Sequence, residues 1–329
     1  MSRKLLITGA SGFLGYHLVE EAVKQGFDVT AAIRKNSPVD QLKKFPVQFT
    51  SLDYEDQRSL LKNLSDNNYD YIIHAAGATK ANHAEDYDRV NAQYTQNLAQ
   101  AAAAYGDNLK KFVFISSLAG VGPLSNSFDT ITEKTVSQPV TSYGKSKLLA
   151  EVNLASFHTL PLIVLRPTAI YGPMERDLFL LVKAINRGLE LYIGRIDQML
   201  SFVHVKDVAC VSLRALTSPI QKGVYNLSDG QRYDRYALTA ILKNLLNKKT
   251  IKIHLPIPVV TVLASVLEVI YSFNKKKPAL NREKMAELTA QNWVCSIDAL
   301  KKDIGYAPQY TLQNGMKETL EWYKTNNWL

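Results

Sequence analysis

The stretch KLLITGASGFLG, residues 4–15, decides the fold class of this chain. It begins as a short apolar strand and then places glycines at positions 9, 12 and 15, before an amphipathic helical pattern. Glycines at a strand–helix junction permit a tight turn, and the free N–H groups and dipole of the helix favour a bound pyrophosphate. The stretch therefore predicts the first strand–helix unit of a parallel sheet with a phosphate-binding loop. The loop residues expected to contact the ligand are Gly9, Ser11, Gly12, Phe13, Leu14 and Gly15.

Strand and helix patterns alternate through the first half of the chain. The strands are rich in valine, isoleucine and leucine, which is typical of a parallel sheet covered by helices on both faces. We therefore predict an α/β fold, a Rossmann-type doubly wound parallel sheet with a smaller, interleaved C-terminal lobe. The predicted strands are 4–8, 28–33, 47–52, 71–75, 111–116 and 162–166, and the predicted helices are 12–25, 85–105, 143–157, 178–187, 208–216, 235–246 and 312–324.

The composition is that of a folded globular protein. Of 329 residues, 46% are hydrophobic and 21% are charged, a balance that excludes a disordered chain and allows a sizeable core. The formal net charge of +9 is compatible with an anionic partner such as a phosphorylated cofactor, a membrane face or nucleic acid, and proves none of them. The sequence shows no alternating basic–aromatic stripe, so we expect no nucleic-acid partner.

Cys210 and Cys295 are the two cysteines of the chain. Neither stands in a metal-ligand spacing and no histidine does, so we expect no metal site. One cysteine pair is no disulfide framework for a chain of this length, which favours a reducing compartment. The apolar run near Met1 is about four residues long, too short for the core of a signal peptide. We therefore expect a cytoplasmic protein.

Residues 259–273 are largely apolar and are followed by Lys275-Lys276-Lys277. The stretch is shorter than the ~20 residues that a spanning helix needs, and Glu268 would be costly at the centre of a bilayer. We therefore expect no transmembrane segment. A buried helix of the second lobe is the favoured interpretation. The alternative is an interfacial helix with a basic flank, making weak membrane contact near 259–273.

The residues that follow the second, third and fourth strands indicate the cofactor. A carboxylate after the second strand would bind a ribose 2′-hydroxyl, whereas an arginine accommodates a 2′-phosphate. This chain has Arg34 and Lys35 there and no carboxylate, which favours NADP over NAD. After the third strand, Asp53 is placed to reach the adenine amine, with Leu52 beside it. The small residues after the fourth strand, against which a nucleotide can lie, are Ala75, Ala76 and Gly77.

Tyr143 and Lys147 stand four residues apart on a predicted helix and therefore share one face. A lysine charge near a phenol favours the phenolate and lowers the phenol pKa. The phenol can then act as general base toward an alcohol, or as general acid toward a carbonyl. Ser117, at the tip of the fifth strand, is placed to hydrogen-bond the same substrate oxygen. Ser116 is the alternative, and strand register favours Ser117.

Taken together, these motifs resemble, in their order along the chain, the extended short-chain dehydrogenase/reductase superfamily, which includes NAD(P)-dependent epimerases and dehydratases. The similarity spans nearly the whole chain. It is carried by TGASGFLG at 8–15, ISS at 115–117, YGKSK at 143–147, RPTAIYGP at 166–173 and FVHVKDVA at 202–209.

The resemblance implies roles for the motif residues. Tyr143 would be the acid/base, Lys147 would also hold the nicotinamide ribose, and Ser117 would orient the reacting oxygen. Pro167 would begin the stretch beside the nicotinamide, with Ile170 in it, and Ser116 would lie on the cofactor side. The side chains expected to contact a small-molecule substrate are Thr79, Asn91, Ser117 and Tyr171.

The resemblance also implies an organisation for the chain. Residues 1–170 would form the NAD(P)-binding Rossmann domain, with segments near 200–230 returning to it. Residues 171–329 would form mainly the substrate-binding lobe. Members of the superfamily often pair through the helices expected at 85–105 and 143–157, so a homodimer is expected.

The substrate lobe must distinguish the branches of the superfamily. Nucleotide-sugar enzymes typically place an arginine shortly before the segment matched at Phe202, to clamp a pyrophosphate. Here Met199-Leu200-Ser201 occupies that place, and Arg195 is displaced from it. This favours an oxidoreductase of the hydroxysteroid dehydrogenase or dihydroflavonol reductase type, acting on a hydrophobic alcohol or ketone. A nucleotide-sugar epimerase or dehydratase is the first alternative, and a non-catalytic dinucleotide sensor is the second.

Overall fold

Strands and helices alternate over the first half of the chain. The computed structural model describes residues 3–272 and 282–329. A π-helical turn at Asp88–Gln93 interrupts the helix expected at 85–105. The elements of this half are β1 (Arg3–Thr8), α1 (Phe13–Lys24), β2 (Phe27–Ala32), β3 (Gln48–Thr50), α2 (Gln57–Asn67), β4 (Tyr71–His74), α3 (Ala84–Tyr87), α4 (Tyr94–Tyr105), β5 (Lys111–Ile115), α5 (Ser142–Ala155) and β6 (Leu162–Pro167).

The second half mixes short strands with helices. No helix within 3–272 or 282–329 has the length and apolar character needed to cross a bilayer. Phe273 and Lys275–Lys277, which belong to the expected membrane-contact region, lie outside the described residues. The elements are β7 (Ala169–Tyr171), α6 (Asp177–Asn186), β8 (Leu189–Ile193), β9 (Met199–Leu200), β10 (Phe202–His204), α7 (Val205–Thr217), β11 (Gly223–Leu227), β12 (Tyr233–Asp234), α8 (Ala237–Leu246), β13 (Ile251–Leu255), α9 (Ile257–Ser272), α10 (Arg282–Leu288), α11 (Asp298–Ile304) and α12 (Leu312–Thr325).

Seven strands form one parallel sheet in the order β11-β6-β5-β4-β1-β2-β3. Helices α1, α7 and α11 bury their apolar stripes on one face, and α2, α4 and α5 cover the other. The strands are buried on both sides, which explains why they are continuously apolar rather than alternating. The predicted α/β fold with a doubly wound parallel sheet is confirmed.

The strand order places one set of loops together. The carboxyl ends of β1, β4, β5 and β6 are neighbours at one edge of the sheet, where ligands of such sheets bind. A separate apolar core, built from α6, α8, α12 and the strands β7 and β10, lies beyond that edge. The groups expected to bind the cofactor therefore lie at the carboxyl edge of the sheet.

Candidate active site

The glycine loop after β1 is shaped by close backbone contacts. Gly9 has a φ of +69°, and a Cβ there would lie 2.7 Å from the carbonyl oxygen of Ala75. A Cβ on Gly15 would lie 2.0 Å from the Gly9 oxygen. Gly12 is the N-cap of α1 and no side chain caps that helix, so its first N–H groups remain available to an anion. The loop therefore fits a pyrophosphate.

The end of β2 presents two cations. Arg34 and Lys35 are both exposed, and neither side chain pairs with an acid within the described part of the chain. Asp53 is also exposed, and its carboxylate accepts a hydrogen bond from the Glu55 N–H at 3.0 Å. Asp53 therefore shapes a turn at the place where an adenine contact is expected. Leu52 lies half-buried beside it.

The end of β4 meets both the glycine loop and α5. Ala76 donates its N–H to the hydroxyl of Thr8 at 3.1 Å, which fixes the two strand ends to each other. A Cβ on Gly77 would lie 3.4 Å from the Nζ atom of Lys147. The structure thus brings the Ala75–Gly77 segment and the expected catalytic lysine to one place. Thr79 is exposed two residues further on.

Helix α5 carries Tyr143 and Lys147. It starts at Ser142 because Thr141 caps it, accepting the Gly144 N–H at 3.0 Å. Tyr143 is half-buried and its phenol hydrogen-bonds to Ser117. Lys147 is buried, and its ammonium donates to the main-chain oxygen of Ile115 at 2.9 Å. The expected serine, tyrosine and lysine therefore lie together at the end of β5.

The pKa of the phenol departs from expectation. Burial raises the pKa of Tyr143 to about 12, although the hydrogen bond from Ser117 acts to lower it. Burial also lowers the pKa of Lys147 to about 8, against the carboxylate of Glu151, which raises it. The expectation that Lys147 lowers the phenol pKa is corrected, because desolvation of Tyr143 dominates. Tyr143 is a neutral phenol at pH 7, which is the form that donates a proton.

A buried ion pair beneath the site was missed from the sequence. Glu151 accepts two hydrogen bonds on one oxygen from Arg166, at 2.5 and 3.0 Å. The hydroxyl of Ser116 donates to the other oxygen of Glu151. Ser116 is thereby turned away from Tyr143, which leaves Ser117 as the serine beside the phenol. The signal was present, since Tyr143, Lys147 and Glu151 recur every four residues on one helix face.

Asn91 is completely buried within the π-helical turn. Its side chain accepts the N–H of Ala78 at 2.7 Å and donates to the Ala78 oxygen at 3.0 Å. The same amide donates to the hydroxyl of Ser146 at 2.9 Å, which in turn donates to the Tyr143 carbonyl at 2.8 Å. Asn91 therefore fastens the loop after β4 to α5, rather than presenting its amide to a substrate.

The segment after β6 divides between two places. Pro167 ends β6 and Ile170 lies half-buried in β7, close to the carboxyl edge of the sheet. Tyr171 is buried, and its hydroxyl donates to the Thr311 oxygen at 3.1 Å. The structure does not bring Tyr171 to the other expected substrate residues. His204 is buried beneath it, in edge contact with the Tyr171 ring.

Across residues 3–272 and 282–329, no three His, Cys, Asp or Glu side chains gather as a metal ion would require. Cys210 and Cys295 are free thiols. Burial raises the pKa of the Cys295 thiol to about 12, so it is inert at neutral pH.

Known proteins are similar to this chain in sequence and in fold. The sequence profile of the NAD dependent epimerase/dehydratase family matches residues 5–228. A ceramide reductase from Caulobacter vibrioides is 28% identical over 327 residues, which cover 98% of this chain and 95% of that protein. An N-acetyl-α-D-glucosaminyl-diphospho-ditrans,octacis-undecaprenol 4-epimerase from Escherichia coli is 28% identical over 336 residues, covering 98% and 96%.

Among solved structures, the UDP-glucose 4-epimerase from Thermotoga maritima, determined with UDP-glucose, superimposes with a TM-score of 0.80. It is 20% identical, and the match covers 98% of this chain and 99% of that one. At this identity the likeness establishes the shared fold.

Proposed function

This chain belongs to the NAD-dependent epimerase/dehydratase family, and we propose that it transfers a hydride between NADP(H) and a hydrophobic alcohol or ketone. It is an NAD(P)-dependent enzyme of the extended short-chain dehydrogenase/reductase type. Family membership leaves the substrate open, because epimerases, dehydratases and reductases share one cofactor chemistry. The choice among them rests on the second lobe.

The observation that carries the proposal is that two arginines in that lobe already donate hydrogen bonds to other groups of the protein. The guanidinium of Arg232 donates to the Ser127 oxygen at 2.6 Å and to the Thr130 hydroxyl at 3.0 Å. A diphosphate clamp requires an arginine whose donors are free. The guanidinium of Arg232 is therefore already hydrogen-bonded within the protein and is not free to clamp a diphosphate.

Arg235, which directly follows β12, is engaged in the same way. Arg235 donates to the main-chain oxygens of Ile193 and Ile196, at 2.9 and 2.6 Å. Arg195 is exposed on the turn between β8 and β9, displaced from the clamp position before Phe202. These contacts favour a substrate without a diphosphate.

Two relatives support a hydrophobic substrate. The ceramide reductase and the undecaprenol-linked epimerase are both named for molecules that carry long hydrocarbon chains, but the epimerase is named for a lipid that also carries a diphosphate, so only the reductase matches a substrate without one. One of them is named as a reductase. A lipid alcohol or ketone is therefore the substrate class that we assign.

The proposed chemistry uses the groups at the end of β5. When bound, NAD(P) supplies the nicotinamide that gives or takes the hydride. Tyr143, neutral at pH 7, donates its proton to the carbonyl oxygen during reduction and recovers it during oxidation. Ser117 holds the same oxygen by a hydrogen bond. Lys147, whose ammonium donates to the Ile115 oxygen, would hold the nicotinamide ribose.

The proposed cofactor preference rests on Arg34 and Lys35. Both side chains are exposed and free of acidic partners among the described residues, so their charges are available to a 2′-phosphate. No carboxylate follows β2 to bind a free 2′-hydroxyl. NADP is therefore the proposed cofactor, with NAD as the alternative.

Homodimer formation is proposed through α4 and α5. Leu149 and Val152 on α5 are 41% and 61% exposed, on the face that the family often uses for pairing. Sedimentation velocity on the purified protein measures the oligomeric state, and a monomer across the concentration range would contradict the proposed dimer.

Residues 171–329 are proposed as mainly the substrate-binding lobe.

A substrate panel tests the proposed function. Oxidation of NADPH is followed with long-chain and sterol-type ketones, and interconversion is followed with UDP- and dTDP-sugars. We expect turnover with the ketones, and we expect it to be unchanged in Arg195→Ala. Turnover of nucleotide sugars alone, with loss of that activity in Arg195→Ala, would contradict the proposal and favour a nucleotide-sugar epimerase.

A further inference from the structure

Helix α9 carries apolar side chains on two opposite faces. Val260 and Ala264 are buried against Met285 of α10. The other face is between 48% and 64% exposed. An apolar stripe at helical spacing usually faces a core, yet no described residue covers this one. The stripe consists of Val259, Val262, Leu263 and Val266, which follow the spacing i, i+3, i+4 and i+7.

The two-stranded β8–β13 ladder continues this surface. Its register pairs Leu189 with Ile251 and Leu191 with Ile253, and all four side chains are at least 36% exposed. Side chains two apart on a strand share a face. The same face continues to Ile193 and Leu255, which α9 covers, so the ladder residues and the helix stripe adjoin. We name these eight exposed side chains, four on the ladder and four on α9, the apolar face.

Basic side chains stand at one end of the apolar face. Arg187 precedes β8, and Lys248 and Lys249 precede β13. All three are exposed, and within the described ranges none pairs with an acidic side chain. Unpaired cations beside an apolar surface match an anionic headgroup layer above a hydrocarbon interior. A protein partner would more often balance such charges with acids at the rim.

The apolar face is connected to the catalytic tyrosine through α10. The carboxylate of Glu283 accepts the N–H of Ser142 at 3.1 Å and also its hydroxyl. Ser142 directly precedes Tyr143. Met285, two residues further along α10 than Glu283, packs against the buried face of α9. A single short helix therefore separates the exposed stripe from the substrate side of the site.

We propose that the apolar face docks the protein on an anionic phospholipid bilayer, so that a membrane-resident substrate enters the site beside α10. The entry of substrate rests on the proposed function, whereas docking is a property of the surface alone. The two are measured separately, because docking needs no substrate and turnover of a water-dispersed ketone needs no bilayer.

Vesicle co-sedimentation tests the docking. The full-length protein is mixed with vesicles of phosphatidylcholine, or of phosphatidylcholine with phosphatidylglycerol. We expect binding to the anionic vesicles and weaker binding to the neutral ones. The V262S/L263S variant is expected to lower the bound-to-free ratio by roughly ten-fold or more, because two apolar side chains no longer enter the interface. K248Q/K249Q is expected to reduce binding to anionic vesicles by a similar factor.

The matched control is V136S/V224S. It removes two valines that are 78% and 38% exposed, outside the apolar face and outside the proposed dimer helices, and is expected to bind vesicles as the unaltered protein does. Thermal melts check that each variant is folded. Binding to neither vesicle type, or equal loss in both serine variants, overturns the proposal. So does a change of oligomeric state in V262S/L263S with unaltered vesicle binding, which would make the face a contact between two copies.

Discussion

The ammonium of Lys147 donates a hydrogen bond to the main-chain oxygen of Ile115 at 2.9 Å. This contact ties the middle of α5 to the last residue of β5, directly before Ser116 and Ser117. It also holds a cation in a buried place, where desolvation lowers the pKa of Lys147 to about 8. A buried charge of this kind opposes folding and persists where function needs it.

Replacement of that lysine should separate stability from activity. We expect Lys147→Met to abolish turnover and to melt, at pH 7, no lower than the unaltered protein. Because the folded pKa lies below the ordinary value of 10.5, the unfolded chain binds more protons between about pH 8 and 10.5. Stability of the unaltered protein relative to the variant must therefore rise across that window. Paired melts from pH 7 to pH 10 measure it, and a relative stability that falls with pH would contradict the pKa shift.

The buried imidazole of His204 is predicted to make the protein less stable in acid. Burial lowers its pKa to about 3, and neither ring nitrogen has a hydrogen-bond partner among the described residues. The imidazole must stay neutral in the folded state, so its contribution is present above pH 6.5 and is lost as the pH falls toward 3. His204→Leu, close in volume, is expected to reduce the fall in melting temperature between pH 7 and pH 5. An identical fall in both proteins would show that His204 does not titrate in this way.

Asn91 is predicted to act by positioning. Asn91→Ala removes the three bonds to Ala78 and Ser146, and we expect a loss of about 1–3 kcal/mol in unfolding free energy together with a lower kcat. The control is Asn97→Ala, which removes one amide bond to the Tyr54 oxygen and should leave kcat unchanged. Equal kcat values in the two variants would show that Asn91 serves stability alone.

Arg34 is predicted to set cofactor preference. In Arg34→Ala, one charge-assisted contact to the 2′-phosphate is lost, and we expect NADPH to bind roughly 10–100-fold more weakly with NADH binding unchanged. Fluorescence titration of the two cofactors measures both values. Arg58→Ala, an exposed arginine on α2, is the control. Equal weakening of NADH and NADPH binding would mean that Arg34 does not contact the 2′-phosphate.

Local patterns sufficed for six of the seven strands of the sheet and for the catalytic motif. Buried parallel strands are continuous apolar runs, and Tyr143 and Lys147 share a face at any helical register. The seventh strand, Gly223–Leu227, was not predicted because its five residues carry no distinctive apolar run. It pairs with β6, which lies about sixty positions earlier in the chain. Long-range pairing of this kind is not encoded in a local pattern.

The details of the site that were not predicted from the sequence are those set by burial. The spacing of Tyr143, Lys147 and Glu151 along one helix face could be recognised in the sequence. Arg166, the partner of Glu151, could not, because it lies on β6. The raised pKa of Tyr143 depends on desolvation by the folded surroundings, which the spacing of two residues does not reveal. The sequence favoured a buried helix near 259–273 over an interfacial one, whereas Val259, Val262, Leu263 and Val266 are exposed. The continuation of this surface on β8 follows only from the ladder register.

The central claim is that Tyr143 moves the proton, and Tyr143→Phe tests it most directly. With the best ketone of the substrate panel, NADPH oxidation is followed for Tyr143→Phe and for Tyr225→Phe, a β11 tyrosine whose hydroxyl donates to Asp303 of α11. We predict that kcat falls roughly 10²–10⁴-fold in the first variant, with NADPH affinity retained, and that it is unchanged in the second. Full turnover by folded Tyr143→Phe would contradict the account.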